Sequence, residues 1–226
     1  MQLFHKSKQV YTMTGKRALI TFVKAPVPGT VKTRLQADIG AEKTVKIYKS
    51  FVTALTSRCS TIRGVDKFLG CAPSDDHPFL RQIAAKNTME TFNQKGNTLG
   101  ERIFNAFRYC AEKGYSEIVL IGSDSPSMPV DLIKKAFAGL RTNDFVFGPC
   151  FDQGLYLIGV SGSSINRLSR IIQLDTGNDV SMILKKLGQT NIKFTMLPFW
   201  YDVDNINDYQ FLKLHIRYLN IDLQIK

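Results

Sequence analysis

The chain has 226 residues, of which 44% are apolar and 22% charged, with a formal net charge of +11. These proportions sit near the globular average and exclude a disordered tail protein, a collagen-like fibre and a small disulfide scaffold; a chain this long buries roughly 70% of its unfolded surface without a stapling metal or disulfide. The basic excess points to an anionic partner: nucleic acid, a membrane surface or a phosphorylated small molecule.

Residues 1–15 are polar and basic and have no apolar run of the kind a secretory signal carries, so they are expected to form a disordered extension to a single domain over 16–226. Arg17 opens a strand over 17–23, followed by a Pro/Gly loop over 24–34. Helical spacing of Val45, Tyr48, Val52 and Leu55 predicts a helix over 41–60. A strand over 67–72 and a short helix over 78–86 come next, then a helix over 100–113 carrying Ile103, Phe104, Phe107 and Cys110. The almost wholly apolar strand over 117–122 ends at Ser123-Asp124-Ser125-Pro126. A helix over 130–140, strands over 144–148 and 155–160, a helix over 179–187, a strand over 192–197 and an amphipathic helix over 206–219 complete the chain. Apolar strands alternating with helices predict a three-layer α/β/α, Rossmann-like fold with a mostly parallel central sheet covered on both faces. Ligands in such folds sit outside the carboxyl ends of the strands, so the loops that follow strands carry the functional search.

Cys59, Cys71, Cys110 and Cys150 are widely spaced, with no C-x-x-C and no paired histidine, and read as buried thiols in a reducing compartment. The longest apolar runs are too short for a bilayer. A soluble cytoplasmic protein with no membrane partner is expected.

Five segments hold residues with chemistry in them. In the loop Ala25-Pro26-Val27-Pro28-Gly29-Thr30-Val31-Lys32-Thr33-Arg34, two prolines stiffen the backbone and Gly29 permits a tight turn. Lys32 offers a point charge and Arg34 a bidentate fork, a combination suited to phosphate oxygens. Val31 stands where a P-loop needs glycine, which excludes a Walker A site. Asp124, at the end of a buried strand, suits a divalent cation; its alternative is to cap the next helix, with Ser125 as a second candidate cap. Asp202 and Asp204 alternate in an extended segment and so share a side, although one of them could cap the last helix. Asp152 lies in a Gly-containing turn before Gly154. Gly100 and Arg102 open a helix in Leu99-Gly100-Glu101-Arg102, where Glu101 also complements the helix dipole. His5, His77 and His215 lie at no metal-ligand or triad spacing, and Phe199, Trp200 and Tyr201 are expected to pack in the core.

Taken together, PVPG-xx-KTRL, LGER, GSDSP, GP-x-x-D-x-G-x-Y-L-I-G and D-V-D resemble a bacterial and archaeal group of nucleotide-diphospho-sugar transferase-like proteins with the type A glycosyltransferase fold. That group is related to phospholactate guanylyltransferases and molybdenum-cofactor nucleotidyltransferases. The resemblance runs from about Leu19 to Phe211. It implies that Gly29, Lys32, Arg34, Gly100, Arg102 and Gly154 contact the nucleotide and its phosphates. It also implies that Asp124, Asp202 and Asp204 hold Mg2+ or Mn2+, and that Asp152 stands on the acceptor side as a candidate general base. The chain departs from the group at Gln153-Gly154-Leu155, where Gly-Gly-Tyr is usual, and at Leu174-Asp175-Thr176-Gly177, where a Trp-Ser/Thr element is expected. The implied activity is glycosyl transfer from a nucleotide-diphospho-sugar to a small-molecule acceptor. The alternative is nucleotidylyl transfer with release of pyrophosphate, in which three carboxylates bridge two metals. A nucleic-acid-binding module is disfavoured, because no RNP-type aromatic motif or Arg-rich run is present. The final helix offers a surface for a homodimer.

Overall fold

Alternation along the first strand sets the layering. In the computed structural model, which describes residues 15–172 and 180–219, β1 (Lys16–Lys24) sends Ala18, Ile20 and Phe22 to one face of the sheet and Leu19 and Val23 to the other. The first set packs with Phe107 of α4 (Leu99–Glu112), Leu168 of α6 (Ile165–Ile171) and Ile183 of α7 (Val180–Leu187). The second packs against α2 (Ala41–Ser60), α3 (Pro78–Lys86) and α5 (Val130–Leu140). Both faces of the strand are therefore dry, the condition under which a parallel sheet is stable.

The remaining strands are β2 (Asp66–Ala72), β3 (Glu90–Asn93), β4 (Tyr115–Ile121), β5 (Phe145–Pro149), β6 (Leu155–Ser161) and β7 (Phe194–Met196). They lie in the order β3-β2-β1-β4-β6-β5-β7. Every pairing is parallel except those of β6, which runs antiparallel to β4 and β5. The chain winds outward from β1 to β3, then returns through α4 to place β4 on the other side of β1. That reversal opens a crevice above the carboxyl ends of β1 and β4. A fourth cluster ties α8 (Ile206–Leu219) to α1 (Thr33–Ile39) and α2 through Leu35, Phe51, Val203 and Leu212, all fully buried.

The expected fold class stands, and the helices over 41–60, 78–86, 130–140 and 206–219 have the bounds the periodicity predicts. Three elements are additions. The loop over 24–34 ends early because α1 begins at Thr33; α1 buries only Leu35, so it has no apolar period to read. Strand β3 has four residues, none of them fully buried. Helix α6, preceded by a 3-10 turn, spans barely two turns. Residues 1–14 of the expected extension and Leu174–Gly177, where the resemblance leads one to expect a Trp-Ser/Thr element, fall outside the described residues. All four cysteines are buried free thiols, as expected.

Candidate active site

The loop after β1 is built on Val31. This residue, which replaces the P-loop glycine, is buried beside Val23 and Val45 and pins the loop to the core. Gly29 donates its N–H to Gln36 Oε1 at 3.0 Å, and Thr30 closes the turn by donating to the Val27 carbonyl at 2.8 Å. The backbone then enters α1 through Lys32, which sits in the left-handed region at φ 47° with no side-chain cap. For a residue with a Cβ this conformation is disfavoured and persists only where the surroundings over-determine it. Here it turns the Lys32 side chain into the sheet crevice.

Segment 122–129 after β4 is held at several points. Ser123, Ser125 and Ser127 are all buried. The Ser123 hydroxyl pairs with Tyr48 Oη at 3.0 Å, Ser125 donates to the Asp202 carboxylate, and Ser127 donates to Tyr201 Oη at 2.9 Å. Arg58 donates to the Pro126 carbonyl, and the Asp124 carbonyl accepts from Val203 N–H at 2.9 Å. Asp124 is left with its carboxylate half exposed in the crevice. Helix α5 starts from Pro129 without a side-chain cap, so neither Asp124 nor Ser125 has the capping role.

The chain leaving β7 runs beside the end of β5, with Trp200 N–H on the Pro149 carbonyl at 3.0 Å and Phe151 N–H on the Trp200 carbonyl at 3.2 Å. Val203 is fully buried, and its neighbours Asp202 and Asp204 both face the crevice. The cap of α8 is formed by other residues. Asn205 Oδ1 accepts from the N–H groups of Asn207 and Asp208, while Asp208 Oδ2 accepts from those of Asp204 and Asn205. That reciprocal box leaves the Asp204 carboxylate free for the site.

These segments enclose a cleft of about 720 Å³. It gathers Lys32, Arg34, Arg102, Asp124, Asp152, Gly154, Asp202 and Asp204; Gly29 and Gly100 stand outside its lining. Lys32 is not a free cation. Its Nζ lies 2.5 Å from Asp124 Oδ1 and 2.9 Å from Asp204 Oδ1, and its side chain is only 5% exposed. Burial works against its charge, but the two carboxylates more than offset it and hold its pKa above the ordinary lysine value. Arg34 stays extended into solvent, with Nη1 3.6 Å from Asp204 Oδ2. Asp202 differs from the other two acids. Burial raises its pKa to about 6 against the Ser125 hydroxyl bond, which lowers it, and the nearby Asp124 charge adds to the rise. The Cys150 thiol beside it is pushed upward, first by burial and then by the Asp202 charge.

Asp152 Oδ1 accepts from Gly154 N–H at 3.0 Å, so its carboxylate orders its own turn, and Gln153 between them has φ 71°. Arg102 Nε donates to the Gly96 carbonyl at 3.0 Å. A Cβ on Gly96 would lie 2.6 Å from Glu101 Cβ, so only glycine lets that loop close on α4. Thr98 caps α4, and Glu101 accepts from Asn97 N–H at 2.7 Å, in the helix-end role read from the sequence.

Two further cleft residues, Tyr48 and Gln94, lie outside the five segments singled out in the sequence. Tyr48 is buried on the apolar face of α2, and its Oη accepts from Lys24 N–H at 2.9 Å while pairing with Ser123. Burial, together with the Asp124 charge, pushes its pKa up to about 12. A tyrosine among aliphatic helix positions signals such a partner. Gln94 Nε2 donates to the carbonyls of Gly70 and Val23, at 2.8 and 3.2 Å, bridging the ends of β1 and β2; nothing in its spacing marks it. The aromatic run is only partly core. Trp200 packs against the sheet, whereas Phe199 is 54% exposed and stacks on Phe151 at 5.6 Å. Neither Trp200 nor Tyr201 lines the cleft.

Among the described residues, no three histidine, cysteine or acidic side chains converge closely enough to hold a metal ion. The donor set nevertheless suits a hard cation. Two carboxylates already meet on one positive centre, and Mg2+ characteristically takes one or two protein carboxylates and completes its shell with water and phosphate.

The strand order and the cleft define a protein with the nucleotide-diphospho-sugar transferase fold. The chain belongs to the family described as "uncharacterized protein conserved in bacteria (DUF2064)", which it matches over residues 55–173. It is similar to a protein from Desulfovibrio desulfuricans G20 described as a candidate nucleotide-diphospho-sugar transferase, with 30% identity, 89% of this chain and 87% of that one covered, and a TM-score of 0.79. A cytidylyltransferase from Leptospira borgpetersenii shares the fold at 19% identity, with 92% and 88% of the chains covered and a TM-score of 0.58. A Mycobacterium tuberculosis H37Rv protein solved in complex with manganese shares it at 14% identity, with 87% and 98% covered and a TM-score of 0.50. None of the curated proteins matches it in sequence.

Proposed function

We propose that the protein transfers a glycosyl group from a nucleotide-diphospho-sugar to a small-molecule acceptor. One observation carries this reading. The carboxylates of Asp124 and Asp204, brought in from two separate segments, share a single cationic centre in a cleft that also presents Arg34 and Arg102. One shared centre, with Asp202 withdrawn onto Ser125, suits the glycosyl reading better than a two-metal nucleotidylyl transfer. Similarity to the Desulfovibrio protein supports the same choice.

In this reading Asp124 and Asp204 hold Mg2+ or Mn2+, with Asp202 behind them. A bound divalent ion neutralises charge on the departing diphosphate. Arg34, Arg102 and Lys32 bind phosphate oxygens, and Gly154 shapes the backbone beside the nucleotide, whereas Gly29 and Gly100, outside the cleft, act only on the turns that carry Lys32 and Arg102. As the bond from the anomeric carbon to the diphosphate breaks, an acceptor oxygen bonds that carbon and its proton passes to Asp152. Asp152 uses Oδ2 for this, because Oδ1 is engaged by Gly154 N–H. No helix among the described residues is long and apolar enough to cross a membrane.

Thermal melts with nucleoside di- and triphosphates and nucleotide sugars, each with Mn2+, Mg2+ or EDTA, test the proposal. A ligand at 100 times its Kd stabilises by about 2.7 kcal/mol, or roughly 5–10 °C at this length. The expected result is an EDTA-sensitive shift shared by one nucleotide sugar and its diphosphate. Shifts confined to a triphosphate would replace glycosyl with nucleotidylyl transfer, and no shift across the panel would overturn both.

A further inference from the structure

Lys32 lies deepest of the three charged groups in its cluster with Asp124 and Asp204. Its ammonium is buried, whereas the side chains of Asp124 and Asp204 are 48% and 35% exposed. An anion entering the cleft therefore meets two carboxylates before it meets the lysine. Taken together the three groups carry one net negative charge, which attracts a second cation, while Arg34, 3.6 Å from Asp204 Oδ2 on the solvent side, is open to an anion. The backbone around Lys32 has little freedom to retreat. Val31 and Leu35 are both buried, and α1 starts at once from the left-handed residue. The bonds between its four methylenes can change rotamer, however, so the ammonium can exchange partners while the backbone stays in place.

We propose that Lys32 is a tethered counter-ion competing with a divalent cation for the Asp124–Asp204 pair, and that the pair takes up metal fully only when phosphate oxygens draw the ammonium away. This rests on the cation site in the function proposed above. It goes further in making metal and nucleotide loading interdependent: each binds weakly alone, because the other's ligand is already occupied within the protein. The reciprocity is thermodynamic, so whatever the phosphate does for the metal, the metal does for the phosphate.

The test uses the full-length protein without nucleotide, titrated with Mn2+ while free Mn2+ is followed by electron paramagnetic resonance. Lys32→Met should bind Mn2+ tighter than the unaltered protein by roughly tenfold or more, a coupling of ordinary size. Lys32→Arg, which keeps the charge, should bind as weakly as the unaltered protein. Mn2+ affinity that is unchanged or lower in Lys32→Met, or undetectable in both, overturns the proposal. Circular dichroism establishes that the variants are folded. Should Lys32→Met fail to fold, the lysine-ammonium 1H–15N resonances of the unaltered protein serve instead. The Lys32 signal must move as Mg2+ saturates the site, and metal binding that leaves it in place overturns the proposal. Neither measurement contains nucleotide, so failure here is distinct from failure of the nucleotide panel.

Discussion

Replacing Asp202 with asparagine should make the protein's stability less dependent on pH, in a direction its environment fixes. In the folded chain this carboxyl keeps its proton to about pH 6, because burial and the Asp124 charge together outweigh the Ser125 bond; its ordinary value is 3.8. Between those values the folded state binds more protons than the unfolded one, so stability falls as pH rises. Below pH ~4 both states are protonated and no penalty applies, and above pH ~6 the penalty is complete. About two pH units separate the values, worth about 3 kcal/mol. Asparagine never ionises, yet its Oδ1 still accepts from the Ser125 hydroxyl. Any fixed difference in packing or hydrogen bonding between the proteins is independent of pH. Groups with lowered pKa values elsewhere, such as Glu90 beside Lys113, titrate alike in both and cancel. The melting-temperature difference, variant minus unaltered protein, should therefore grow by roughly 6–12 °C from pH 4 to pH 7. Differential scanning calorimetry in metal-free buffer measures it. Parallel curves across that range would refute the buried, desolvated state of Asp202.

Three further substitutions separate support from chemistry. Tyr48→Phe leaves Lys24 N–H and the Ser123 hydroxyl without their partner inside the protein, and urea unfolding should show a loss of about 1–3 kcal/mol. An unchanged urea midpoint would mean that water replaces the phenol. Leu212→Ala removes a fully buried side chain from the cluster that anchors Val203, and should lower stability by about 2–5 kcal/mol in the same assay. Asp152→Asn keeps an oxygen for Gly154 N–H, so stability should hold within about 0.5 kcal/mol. Turnover of whichever nucleotide sugar the melts identify should nevertheless fall by about 10²-fold or more, and full activity would remove Asp152 from the base role.

The fold was legible wherever an element was long enough to show a period. Helix α2 buries Val45, Tyr48, Val52 and Leu55 at helical spacing, and β4 ends in the continuous apolar run Ile118–Ile121, so both could be read directly. Helix α1 and strand β3 escaped for the converse reason. Each is short and contributes few buried side chains, and what holds it is tertiary: Leu35 against Phe51 and Leu212 for α1, and register with β2 for β3. The antiparallel direction of β6 follows from its connection. The Asp152-Gln153-Gly154 turn joins β5 to β6 directly, and so tight a connection forces neighbouring strands to run in opposite directions.

Most of the residues singled out in the sequence converge on one cleft, Gly29 and Gly100 excepted, but their pairings were illegible. Sequence order assigned cations to phosphate and carboxylates to metal, as though the two groups faced a ligand from opposite sides. The fold instead seats Lys32 between acids that lie 92 and 172 positions further along the chain, a contact no local pattern encodes. The clamp from Ser123 to Ser127 was equally hidden, since serine spacing says nothing about the tyrosines and arginine that answer it. Backbone strain links these features. Three described non-glycine residues have positive φ, and two of them, Lys32 and Gln153, line the cleft. Each is fixed by what surrounds it: Lys32 by the buried Val31 and Leu35, Gln153 by its carbonyl accepting from Val180 N–H at 2.9 Å. Left-handed geometry at a residue with a Cβ costs about 1–2 kcal/mol, so a fold that holds it twice around one cavity has fixed the direction of the side chains there at the expense of stability. For Lys32 that direction points into the carboxylate pair. A lysine meant only for phosphate needs no acid partners, and under the competition proposed above the strained backbone keeps Lys32 aimed at the carboxylate pair.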